Sequence, residues 1–400
     1  MKPALPRLGE FVALVAMLSS LTALSTDAML PALQTIGHDL HVAQENNAQF
    51  IISALFLGLG CGQVFFGPIS DAVGRKPLMY VGLVMFMLGS LLAVVAQDFN
   101  HMLIGRFLQG LGAAAPRVLT LALVRDCYSG RAMAQIMSFT MSVFILVPML
   151  APSLGQGILH FADWRGIFGM LVLLAVVVLV WFGLRMPETL HAENRRSLTW
   201  EHFFSSARQV LSNRTAMRYT IITGVVFGAF TSYLNSVQQI LQIQYGLGDQ
   251  FPLYFAFLAL GIGMASFINA KLVMRFGMHW LAKRAAISFS VLSCGFLVVA
   301  WQTAGHPPLL ALMAFFLLAF LSLGLLFGNL NALAMEPLGH VAGIGASVVG
   351  SLSTLIAIPL GGYIGHAYDN SVLPLIMGFS VFGVIATGLI FVKDNPTNNP

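Results

Sequence analysis

Apolar runs of about 20 residues return again and again along this chain, and nothing else in it limits the fold so strongly. A helix needs roughly 20 apolar residues to cross a bilayer. The runs fall at 9–33, 47–69, 78–97, 102–125, 133–157, 165–186, 218–243, 252–275, 281–303, 309–334, 342–366 and 372–392. Each is continuous, without the short alternating strands and polar lumen positions of a transmembrane barrel. A soluble domain carries about a quarter charged residues; here only 9% are charged and 58% are hydrophobic, too little polar surface to cover a soluble globule. The expectation is an all-α polytopic membrane protein with twelve transmembrane helices. The first run follows Lys2 and Arg7 like a signal peptide, but it continues to Leu33 without a convincing small-residue cleavage site, so it reads as a first span.

One long polar stretch, "PETLHAENRRSLTWEHFFSSARQVLSNRTAMR" (187–218), interrupts the pattern. It divides the chain into a six-helix bundle at 1–186, a central loop at 187–217 and a second six-helix bundle at 218–400. With these spans, Lys2, Arg7, Arg75, Lys76, Arg125, Arg131, Arg185, Arg195, Arg196, Arg208, Arg214, Arg218, Lys271, Arg275, Lys283, Arg284 and Lys393 share one side, and Arg165 alone takes the other. Basic residues mark the cytoplasmic side. Both termini and the central loop are therefore expected in the cytoplasm, with the spans in a bacterial inner membrane. The pI of about 9.3 is then a signal of topology. Nucleic-acid binding would need those charges gathered on one soluble face. The halves look like copies: Gly58, Gly60 and Gly74 stand opposite Gly261, Gly263 and Gly277 at one constant offset. Cys61, Cys127 and Cys294 form no CxxC pair and read as small buried hydrophobes, and neither a metal constellation nor a GxxxxGK[ST] phosphate loop is present. No cofactor or ATP site is expected.

The connection between the second and third spans reads "GPISDAVGRKPL" (67–78). Gly67 permits close helix approach, Gly74 can make the turn, and Asp71 lies about one helical turn from Arg75. A simple basic topogenic loop would explain Arg75 and Lys76 but not the glycine and aspartate spacing. The stretch resembles the signature loop of the major facilitator superfamily, whose members have two six-helix halves. The resemblance implies that Gly67, Asp71, Gly74, Arg75 and Lys76 form a cytoplasmic gate, with Asp126 in "VRDCYSG" (124–130) standing where an acidic partner is expected. A solvated loop acid is the alternative for Asp126.

"LIGRFLQGLGAAA" (103–115) resembles the family's fourth-helix motif through Arg106, Gln109, Gly110 and Gly112. An arginine inside a span is costly and usually faces the protein interior or a water-filled cavity. Arg117 lies deeper in the same run, and Asp27 is the one acid well inside the spans. Two such arginines suggest a polar cavity. Pro148, Pro152 and Gly155 resemble the fifth-helix motif of drug:proton antiporters, although Ala151–Pro152 replaces Gly–Pro and Gln156 replaces a glycine. An ordinary proline-kinked span is the alternative. "STDAMLPALQTI" (25–36), "DWRGIF" (163–168) and "MEPLGHVAGIGASVVGSL" (335–352) resemble the bicyclomycin and chloramphenicol/florfenicol resistance (Bcr/CflA) group of drug:proton antiporters.

That resemblance implies proton-coupled efflux of small amphiphilic drugs or metabolites by alternating access, with Asp27 and Arg106 as the coupling pair. At about 1.5 Å per residue both are expected roughly 9 Å in from the periplasmic boundary. Whether Asp27 titrates or permanently neutralises Arg106 stays open at the level of sequence. Substrate-cavity candidates are Arg117 and the seventh-span residues Tyr233, Asn235, Gln238, Gln239 and Gln242, the last five departing from the apolar stretch expected there; the competing reading makes them loop residues. Asn329 and Asn331 are weaker candidates. Neutral donors and acceptors suit a neutral or zwitterionic amphiphile. A metabolite or sugar transporter of the same fold is the alternative function. An enzyme is disfavoured, since no HExxH or Ser/His/Asp grouping appears. The expected partners are the bilayer, protons and the substrate, for a monomeric protein.

Overall fold

The computed structural model describes residues 6–128, 130–190, 193, 195 and 200–392; Lys2, Arg196 and Lys393 lie outside them. The described residues contain helices and no strand. Fourteen α-helices follow one another: α1 Leu8–Asp27, α2 Leu33–Asp39, α3 Phe50–Val73, α4 Arg75–Val94, α5 Phe99–Cys127, α6 Gly130–Leu159, α7 Arg165–Arg185, α8 Trp200–Ser212, α9 Arg214–Val237, α10 Phe251–Phe276, α11 Met278–Gln302, α12 Leu309–Met335, α13 Ala342–His366 and α14 Leu373–Phe391. Eleven described segments are long and apolar enough to span a membrane, and α6 is a further helix of 30 residues.

Two of the helices are not spans. The first span breaks at Asp27: a 3-10 turn at Leu30–Ala32, with Pro31 in it, leads into the short α2. Proline lacks the amide that would continue the α-helical ladder. The amphipathic α8 lies inside the polar stretch 187–217, where the sequence predicts a loop. It alternates Phe203, Phe204, Val210 and Leu211 with charged and polar residues, the pattern of a half-buried helix.

The chain forms two units, 1–204 with 241–257, and 205–240 with 258–400. In the first unit α5 packs against α3 and α4, α4 against α7, and α1 against α5, α6 and α7. In the second, α11 packs against α12 and α14, and α9 against α12, α13 and α14. Gly261 and Gly324 bring α10 against α12. These six helix pairs of the first unit each have a counterpart in the second, the pattern of a duplicated six-span unit.

The outer surface remains apolar. Leu173, Leu184, Val291 and Val298 are more than half exposed. Such a surface is untenable in water and expected in lipid. Cys294 corrects the sequence reading in the same way: it is exposed, because the apolar surround of an outward-facing position on a span is the bilayer rather than a core. The opposite ends of the first unit are fastened by polar groups. Glu10 at the start of α1 accepts from Trp181 at 3.2 Å and from Arg185 Nη2 at 2.7 Å near the end of α7. At the other end Trp164 donates to Asp39 at 2.8 Å, while Arg165 stacks on Trp164 and donates to the carbonyl of Ala96 at 3.1 Å. Those contacts give the "DWRGIF" stretch a physical role in holding the start of α7.

Candidate functional site

Asp27 is the last residue of α1 and is 5% exposed. Its carboxylate has no hydrogen bond or ion pair among the described residues. The apposition of Asp27 with Arg106 expected from span depth therefore does not become a contact. The reason is the arginine's choice of partners.

Arg106 lies in the first third of α5 and is fully buried. Its Nη1 donates to the carbonyl of Ser25 at 2.8 Å and to Oε1 of Gln109, and its Nε donates to the carbonyl of Ile51 at 3.2 Å. Gln109 passes the chain on to Ser90 Oγ at 2.7 Å, and Ser90 donates to the carbonyl of Phe86. Phe168 of α7 covers the guanidinium at 5.6 Å. The Nη2 amino group is buried without a hydrogen-bond partner. A buried cation served by neutral acceptors is held in place but not neutralised. The guanidinium sits one helical turn or less from Asp27 along α1, on the carbonyl of Ser25, while leaving the carboxylate unengaged.

Close packing surrounds that pair. A methyl group on Gly155 would collide with the carbonyl of Ala28, the residue after Asp27. The glycine of the fifth-span stretch thus lets α6 touch the end of α1, whereas Gly157 faces open space. Pro148 and Pro152 both lie within α6. Gln156, the residue that departs from the antiporter pattern, donates to Asp249 at 2.8 Å.

The α3–α4 turn forms a second polar cluster. Gly74 has φ 115°, a conformation that residues with a Cβ rarely adopt. Arg75, 3% exposed, bonds Asp71 at 2.6 Å, Asp126 at 3.0 Å and the hydroxyl of Ser70. Lys76 donates to the carbonyl of Gly183 at 2.9 Å. Gly67 accepts from Ser70 Oγ at 2.7 Å. Sequence reasoning missed Glu188. Its two carboxylate oxygens accept the backbone amides of Arg75 and Lys76 at 3.0 Å each, capping the start of α4. Thr189 contributes a longer contact to Asp126, 3.4 Å. The "PET" beginning at Pro187 was the available signal, but a cap supplied more than a hundred residues away has no local spacing to reveal it.

Tyr233 and Asn235 lie on α9, which does not end early: it continues as a π-helical stretch through Gln238–Gln244 that carries Gln238, Gln239 and Gln242. Tyr233, Asn235, Gln238 and Gln239 are all buried, and Gln242 is half-buried. Tyr233 meets Phe316 at 5.5 Å and Phe320 at 4.6 Å, both edge-to-face. Phe230 joins them. Asn235 packs on Gly365 of α13, and its Oδ1 is buried without a partner. Asn329 donates to Asn269 at 2.6 Å, while Asn331 donates to the carbonyl of Phe327 on its own helix at 3.1 Å. Arg117 has an exposed side chain and no hydrogen bond among the described residues, although it lies within a span. A permanent charge there calls for water rather than lipid.

Apolar spans in two repeated units, each with polar groups turned inward, define a multi-pass membrane transporter. The chain belongs to the Major Facilitator Superfamily: the family model matches residues 15–361. It is 30% identical to the MFS-type transporter YdgK of Bacillus subtilis (strain 168), over 86% of this chain and 85% of that one. It is 28% identical to a bicyclomycin resistance protein homolog of Haemophilus influenzae, over 94% of each. Among solved structures, the human organic anion transporter MFSD10 superposes with a TM-score of 0.73 at 17% identity, covering 96% of this chain and all of the other, which shows the shared fold.

Proposed function

We propose that this protein is a proton-coupled exporter of small amphiphilic compounds, drugs among them, and not an enzyme. It works by alternating access in the bacterial inner membrane, with both termini in the cytoplasm. The proton gradient supplies the energy and no cofactor takes part. The observation that carries the reading is the buried, unengaged carboxylate of Asp27 beside an Arg106 held by neutral acceptors. An isolated ion in an apolar surround is costly, and the cost falls when it gains a proton or a counter-charge. Asp27 can therefore exchange a proton for an interaction with Arg106 or with substrate as the surround changes. Nη2 of Arg106, which lacks a partner, is the donor available for that interaction. The relatedness to a bicyclomycin resistance homolog supports drugs as substrates.

In this cycle a proton entering from the periplasm neutralises Asp27 and releases substrate; its loss to the cytoplasm restores the binding form. Tyr233, Phe316 and Phe320 supply apolar wall, and Asn235 with the neighbouring glutamines supplies neutral hydrogen bonds. The α3–α4 turn with Asp126 serves as the cytoplasmic gate. Asp27→Asn keeps the shape and removes the titration. Expressed in an efflux-deficient bacterium, it should lose uphill efflux of every substrate while reaching the membrane at the wild-type level. Uncoupler-sensitive efflux retained by the variant would overturn the coupling role. A second reading, a metabolite transporter, is favoured by one observation: Gln156 takes the place of a glycine in the antiporter pattern and is tied to Asp249. A susceptibility panel of phenicols, bicyclomycin, fluoroquinolones and dyes separates the two, since a metabolite transporter should alter none of them.

A further inference from the structure

The α10–α11 turn repeats the backbone of the α3–α4 turn and discards its chemistry. Gly277 takes φ 79°, as Gly74 takes 115°. Where the first turn has Asp71, the matching position is Met274, 88% exposed. Three exposed cations follow, Arg275, Lys283 and Arg284, and none has a carboxylate within ion-pair reach among the described residues. The described acids of this unit are Glu336 and Asp369, and neither forms an ion pair.

What these cations have instead are ring faces. Arg275 lies over Phe276 at 5.1 Å, Arg284 over Trp280 at 5.5 Å and Lys283 over Phe391 at 5.5 Å. Phe276 and Trp280 stack at 4.5 Å. Trp280 is 43% exposed and Phe391 54%. Ring stacking orders the charged heads without satisfying their N–H donors. All of this stands at the ends of three spans, α10, α11 and α14. At that depth the surround changes from acyl chain to headgroup, where tryptophan and basic residues both concentrate.

We infer that this turn is a binding site for the phosphate headgroup of anionic phospholipid, with Arg275, Lys283 and Arg284 on the phosphate and the Phe276–Trp280 stack and Phe391 against the glycerol and upper acyl chain. The lipid supplies the counter-anion that Asp71 and Asp126 supply in the first unit. An acidic peptide would match the charges, but not the exposed rings at the rim of a hydrocarbon surface. The inference is independent of what the protein transports.

Native mass spectrometry of the detergent-purified full chain tests it, with phosphatidylglycerol and phosphatidylcholine added in equal amounts. The wild type should retain phosphatidylglycerol preferentially. Headgroup attraction is worth up to about fivefold per basic residue. The triple variant R275Q/K283Q/R284Q, altered only at exposed positions, should lose most of that preference and keep its thermal stability in detergent. Trp280→Ala should shorten retention of both lipids by removing the ring platform. Equal retention of the two lipids by the wild type, or an undiminished preference in the triple variant, would overturn the site.

Discussion

The two units share a skeleton and differ in what they bury at equivalent points. Gly58 on α3 meets the carbonyl of Phe107 on α5, and Gly261 on α10 meets the carbonyl of Leu317 on α12. Arg106 precedes the first carbonyl and Phe316 precedes the second. A little further along, Gly62 faces Ala114, and Ala265 faces Gly324, so the small residue and the methyl have changed sides. Arg117 stands three residues beyond Ala114, and Phe327 three beyond Gly324. Even the cover is preserved: Phe168 lies over Arg106 at 5.6 Å, and Phe379 lies against Phe316 at 6.2 Å. One unit places guanidinium groups where the other places phenyl rings. A duplicated scaffold can thus divide the work, charge handling in one half and apolar contact in the other, because the small-residue contacts that set helix spacing do not depend on what sits beside them.

Exchange of the two chemistries is the severest test. Phe316→Arg would bury a cation among the rings of Tyr233, Phe320 and Phe379. A buried charge without a partner costs about 3–5 kcal/mol or more, so little folded protein should reach the membrane, as read by fluorescence-detected size exclusion. Arg106→Phe should fold better than that, since it removes the charge with its need, but should abolish efflux.

The next contrast concerns the turns. Arg75→Gln should lower thermal stability by about 2 kcal/mol, from loss of charge-assisted bonds to Asp71 and Asp126. Met278→Gln, at the matching position of a turn without acids, should change it little. Glycine positions sharpen the comparison within one helix. Gly155→Val forces a side chain into the carbonyl of Ala28 and should cost about 1–3 kcal/mol. A Cβ on Gly157 meets nothing within 4 Å, so Gly157→Ala should be close to neutral. Thermal unfolding in detergent reads both.

The smallest effect lies at the starts of α5 and α12. Asp98 caps α5, accepting from the backbone amide of His101 at 2.9 Å, whereas α12 starts after Pro308 with no side-chain cap. The His101 amide and ring hold the Asp98 carboxyl below its ordinary value of 3.8. A lowered carboxylate pKa adds stability that is present above 3.8 and disappears as the pH falls through the folded value. The stability gap between wild type and Asp98→Asn should therefore be small near neutral pH and close in acid.

The spans were legible in the sequence because their signal is additive: each apolar residue in a run reports the same solvent. The α3–α4 turn was legible because Asp71 and Arg75 are one helical turn apart and meet there. What escaped depends on register or on backbone. Arg106 is held mainly by the carbonyls of Ser25 and Ile51, which every residue carries and no motif distinguishes. For that reason its separation from Asp27 could not be read from depth alone. The π-helical continuation at Gln238–Gln244 kept Gln238, Gln239 and Gln242 out of a loop through a widened ladder without a side-chain signature. The exchange of Arg106 for Phe316 becomes visible only when the glycine contacts fix which residues correspond.

The cap that Glu188 provides also bears on where this chain can be divided. A fragment ending with α7 at Arg185 would strip the first two amides of α4 of their acceptor, while one ending after Leu190, whose own amide is bonded to Glu188 at 2.9 Å, would carry the cap with it. For co-expression of the halves as separate polypeptides, or for insertion of a reporter between them, the seam belongs beyond Leu190: the first residues after the last span are part of the first bundle's architecture rather than slack in a tether.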